Sequence, residues 1–138
     1  MTLSDDKSGL LQNLLGKLPE TAAEKLVVFF RLFLAYMHEL GEETVRSAYH
    51  IQIGYEKKLS SLIAERRELY KILEELVSEG QHNGEFRTDL TSAQIAQVLM
   101  HNVRGIVYNW CLPISKFSIE ESGESLLSIV VAGLRRAK

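Results

Sequence analysis

Residues 91–113 read TSAQIAQVLMHNVRGIVYNWCLP. Thr91 followed three residues later by Gln94 fits a capping box, in which the hydroxyl and the amide satisfy two free first-turn N–H groups reciprocally. Pro113 cannot continue a helix, so the pattern predicts one from 92 to about 112. Ile95, Leu99, Ile106 and Trp110 fall on one face of it, and Ala96, Met100, Val103 and Val107 on another. A helix apolar on two faces needs more cover than one neighbour gives, which makes it either a core helix or part of a subunit interface. Gly105 costs about 1 kcal/mol of helix propensity relative to alanine, and its presence predicts a close helix crossing. A third row, Gln97, His101, Arg104 and Tyr108, is polar: a solvated face or the lining of a cavity.

The same periodicity extends outward in both directions. Ser118 with Glu121 opens a helix to about residue 136 that carries Ile119, Leu126, Leu127, Ile129, Val130, Val131 and Leu134. Upstream, GQHNGEFRTDL at 80–90 is a loop by its glycines and low apolar content. Leu59, Leu62, Ile63, Leu69, Tyr70, Leu73, Leu76 and Val77 stripe a helix that ends near Gly80, and glutamates, lysine and arginine cover its opposite side. Gly41 separates a helix over 42–57 from one over 21–40, which Thr21 and Glu24 cap and whose apolar residues surround nearly its whole circumference. Such a helix belongs in the middle of a bundle. Leucines at 10, 11, 14, 15 and 18 form a shorter amphipathic helix that Pro19 stops. Period-two alternation is absent. The fold class expected is therefore all-α, an antiparallel bundle of about six helices in a single domain over 1–138.

Composition narrows the function. The 138 residues are long enough for one core without staples, and 46% apolar with 25% charged residues is ordinary for a folded domain. A net charge of −2 supplies none of the positive excess that binding nucleic acid requires. One cysteine, and no basic-then-apolar start, make the cytoplasm the expected location, and polar interruptions between Ser92 and Pro113 exclude a membrane span there.

Catalytic chemistry has little to work with. His38, His50, His82 and His101 have no second ligand at helical zinc spacing, so neither a metal nor a cofactor is expected. Cys111 sits near a helix C-terminus, where the dipole raises a thiol pKa. Gly80 and Gly84 make no phosphate-binding pattern, and the glutamate pairs 42–43 and 74–75 fit solvated faces.

The run GEFRTDLTSAQIAQVLMHNVRGIVYNW (84–110) resembles the segment of TetR-family transcriptional regulators in which a Gly-x-Phe-Arg-x-Asp loop opens a long helix with glycine and tryptophan near its end; here these are Gly84, Phe86, Arg87, Asp89, Gly105 and Trp110. Asp6, Lys7, Leu10 and Leu11 are similar to the start of the helix that follows the family's recognition helix. The resemblance implies the ligand-binding and dimerisation part of a repressor. By the same resemblance a helix-turn-helix head of roughly fifty residues, expected ahead of Met1 and missing from these 138 residues, would supply the DNA contacts. It further implies a homodimer through the last two helices, with Ile106, Trp110, Leu126, Leu127, Val130 and Leu134 at the interface. A small apolar or amphipathic effector would bind between the earlier helices, against Phe33, Met37, Tyr49, Leu73, Met100, His101, Arg104 and Tyr108. An anionic effector would suit Arg104, the one formal charge between Ser92 and Pro113. The alternatives are a helical dimeric interaction module without a ligand and a small all-α enzyme.

Overall fold

The computed structural model describes residues 21–54, 60–114 and 116–136. Five helices occupy them: α1 (Ala22–Leu40), α2 (Glu42–Gly54), α3 (Ser60–His82), α4 (Ser92–Trp110) and α5 (Ile119–Leu134). The helix expected over the leucines at 10–18 lies outside the described residues.

α1 is the central helix. It touches all four others, and Leu26, Phe29, Phe30 and Leu34 are buried along it, the two phenylalanine rings edge to face at 5.1 Å. Burial of each such side chain contributes about 1.5–3 kcal/mol. α3 and α4 pack together over Leu73, Leu76 and Val77 on one side and Ile95, Ala96, Leu99, Met100, Val103 and Val107 on the other. α5 leans on α1 and α4 through Ile119, Leu127 and Leu134.

The caps explain where the helices begin, with two departures from expectation. Thr91 and Gln94 form the full reciprocal box. Thr21 Oγ accepts from the Glu24 N–H at 3.2 Å, but the carboxylate that serves this helix end is that of Glu85, 63 residues away, which accepts from the Ala22 N–H at 3.0 Å. Ser118 Oγ accepts from the Glu121 N–H and itself donates to Glu120. Gly41 and Gly84 both adopt positive φ, which a side chain would strain.

α3 also runs through Gly80 to His82 instead of ending at the glycine. Gly80 is helical, and a Cβ there would stand 2.7 Å from Phe86 Cγ and closer still to the ring edge. The glycine makes room for a ring; it does not stop a helix.

Candidate functional site

The molecule presents two distinct surfaces, the outward side of α4 and α5 and the groove at the N-terminal end of α1. On α4 the row Val98, Asn102, Gly105, Asn109 follows helical spacing, with Val98 53% exposed. Asn102 Nδ2 donates to the Val98 carbonyl at 2.8 Å and Asn109 Nδ2 to that of Gly105 at 2.7 Å, so each amide turns one N–H back onto its own helix. On α5, Ser125, Ile129, Ala132 and Gly133 are all exposed, Ile129 to 72%. A Cβ at Gly105 or Gly133 would meet nothing within 4 Å. The close crossing expected at Gly105 is therefore not made among the described residues, because that flank of α4 faces outward.

The residues expected at the dimer interface divide. Leu127 and Leu134 are buried in the chain's own core, and Ile106, Trp110, Leu126 and Val130 are partly buried against it. Val98, Ile129 and Gly133 are more outward than any of these. The sequence offered a signal for Ile129, which lies on the opposite side of α5 from the buried Ile119, Leu127 and Leu134.

The residues expected around an effector are also dispersed. Leu73 and Met100 are fully buried, while Phe33, Met37 and Tyr49 pack partly buried against the core. His101 and Tyr108 are exposed, and Arg104 is half-buried. The polar row thus lies mostly on the solvent side of α4.

A groove of about 960 Å³ opens elsewhere, beside the first half of α1. Ala23, Val27, Val28, Phe86 and Val131 give it an apolar lining, and Glu24, Arg31, Glu85, Arg135 and Arg136 add charge. Arg31 is engaged with Glu124 at 2.5 and 3.0 Å, and that hydrogen bond holds the Glu124 carboxyl below its usual range.

Where α1, α4 and α5 meet at the other end, His38 contacts both the Glu120 carboxylate and the Trp110 ring, the rings edge to face at 6.1 Å. Burial pushes the Glu120 carboxyl up, but hydrogen bonds, first that from His38, outweigh it and leave its pKa lowered. Arg46 Nε donates to the Cys111 carbonyl at 2.9 Å, tying α2 to the end of α4. Burial pushes the Cys111 thiol up, so the nearby arginine does not make it a ready nucleophile. Among the described residues no three His, Cys, Asp or Glu side chains come together to hold a metal ion, and no helix is long and apolar enough to cross a membrane.

A central helix is wrapped by the others, and among the described residues the outward side of the last two helices is left open, which defines an all-helical domain. The family model for the tetracyclin repressor-like C-terminal domain matches residues 19–134, and the chain belongs to that family, a domain of transcriptional regulators. The fold is similar to that of the ketosteroid transcriptional regulator KstR2 of Mycobacterium tuberculosis, with a TM-score of 0.66 at 13% identity over 96% of this chain and 67% of that one. No curated protein sequence matches the chain.

Proposed function

We propose that this chain is the effector-binding and dimerisation domain of a TetR-like repressor, working as a homodimer through α4 and α5. The observation that carries the reading is the outward side of these two helices: Val98 and Ile129 stand in water, and Gly105 and Gly133 lie beside them with open space where a side chain would be. Helical glycines cost stability, and among the described residues nothing lies within 4 Å of the space a side chain at either would fill. A second copy would bury Ile129 and make use of both gaps.

In this reading a small apolar or amphipathic effector enters near Phe33, Met37 and Tyr49, which edge the core in the second half of α1 and in α2. Arg104 would meet an anionic group of that effector. Its binding would alter the spacing of DNA-binding heads joined ahead of the domain, and the protein would act in the cytoplasm.

Sedimentation tests the dimer. The unmodified chain is expected to be dimeric at micromolar concentration, and Ile129→Glu to be monomeric with unchanged helical circular dichroism. A monomeric unmodified chain would overturn the proposal. Leu127, buried within the chain, is the wrong site for this test, since a charge there would disturb folding first. For the effector, amphipathic carboxylates are titrated against Trp110 fluorescence; Arg104→Ala should bind them more weakly, and equal binding would remove the anionic class.

A further inference from the structure

We infer that residues 85–87 are a clasp coupling the N-terminal end of α1 to the C-terminal end of α5, so that loosening either end loosens the other. Helix ends leave N–H groups unpaired at the start and carbonyls unpaired at the finish. At the start of α1 two of those donors, Ala22 N–H and Ala23 N–H, reach the Glu85 carboxylate at 3.0 and 3.4 Å, and the negative charge also suits the helix dipole there. At the finish of α5, the Arg87 N–H donates to the Leu134 carbonyl at 2.8 Å, and the Arg136 N–H donates to the Glu85 carbonyl at 3.0 Å. One residue, Glu85, therefore uses its side chain for α1 and its backbone for the end of α5.

The segment between these contacts is held firmly. Phe86 pairs with Arg135 in an isolated antiparallel bridge, and its fully buried ring is seated on Gly80 of α3. Asn83 fixes the carboxylate from behind, donating to Glu85 Oε2 at 2.5 Å and accepting from the Glu85 N–H at 3.1 Å. Because a rigid three-residue piece bonds both helix ends, a shift of one is transmitted to the other through Glu85. The groove beside α1 is walled by the same three elements, so the clasp sets its width. If α5 forms the dimer face proposed above, the clasp links the point where the preceding residues join Thr21 to that face; the coupling itself does not depend on that reading.

Amide hydrogen exchange on the full chain, with rates taken relative to Val77 in the α3 core, tests the coupling. Arg136→Pro removes one donor at the α5 end, and Arg135 already has the extended backbone, φ −60° and ψ 143°, that a following proline requires. Loss of that hydrogen bond should speed exchange at Ala22 and Ala23 by about fivefold. Glu85→Gln, which weakens the cap while leaving the backbone intact, should in turn speed exchange at Arg136. Unchanged Ala22 and Ala23 in the first variant, or unchanged Arg136 in the second, would reduce the clasp to two independent caps. Should Arg136→Pro fail to fold, Glu85→Gln decides alone.

Discussion

Gly80 and Gly105 are both helical glycines, yet they sit against opposite surroundings. A methyl group at Gly80 would collide with the Phe86 ring, and one at Gly123 with Leu34, whereas at Gly105 and Gly133 it would meet nothing. The first two are explained within the chain, where a side chain from another segment takes the vacated volume. The other two have no occupant among the described residues and sit beside exposed apolar residues. The same substitution at the two kinds of site should therefore act in opposite directions, which separates packing inside a fold from packing reserved for a partner.

The largest effect is expected on the packed side. Phe86→Ala empties a fully buried site and should cost about 4 kcal/mol in urea unfolding. Gly80→Ala should cost about 2 kcal/mol, overpacking exceeding the gain in helix propensity. The double variant should be clearly better than the sum of the two, because alanine at 80 no longer meets a ring. Additive costs would mean that Gly80 and Phe86 do not share one space.

On the open side, Gly105→Ala should stabilise the dissociated chain by up to about 1 kcal/mol, seen in dilute thermal unfolding, while weakening self-association in sedimentation. Destabilisation at high dilution would show that the glycine is needed inside the chain after all, and would erase the contrast with Gly80. Ile129→Glu should leave unfolding of the isolated chain within about 0.5 kcal/mol of the original, as for an exposed position.

The smallest expected effect belongs to neither kind of site. Glu124 is held below the usual carboxylate range by its hydrogen bond from Arg31, so its contribution is present at neutral pH and is lost as pH falls through its lowered folded value. Both side chains are about half exposed, 57% and 49%, and solvent screening limits the pair to about 0.5 kcal/mol. Glu124→Gln should therefore lower neutral-pH stability slightly, and the difference should shrink as pH falls through the ordinary carboxylate range and close below the lowered folded value. A difference that persists at pH 2 would show that the ion pair is not its source.

Sequence periodicity located the helices well because their apolar spacing is a local property of the chain. The stripe Ala96, Met100, Val103, Val107 is buried as a row, and the N-cap residues Thr21, Thr91 and Ser118 mark the starts of α1, α4 and α5 to within a residue. A local rule read one residue's role differently from the structure. Gly80 has the look of a stop, yet it is a helical position two residues before the end of α3, and the Phe86 ring takes the volume a side chain there would need.

The site was less legible. Leu127 and Leu134 have the hydrophobicity expected at an interface, but hydrophobicity does not distinguish burial in one's own core from burial against a partner. His101 and Tyr108 have the chemistry of a pocket lining, yet stand on the solvent side of α4. Glu85 lies in a loop where nothing local marks it as the cap of a helix that begins 63 residues earlier.

By itself, then, the sequence determined the all-helical class, the central place of the helix over 21–40, and the over-apolar character of the last two helices, since each follows from the repeat of apolar residues along one segment. Which glycine is packed and which is open, which leucines face inward, and how the loop at 84–87 joins the ends of α1 and α5 were decided by tertiary structure. Those properties depend on what lies across the gap from a residue, and residues far apart in the chain supply it.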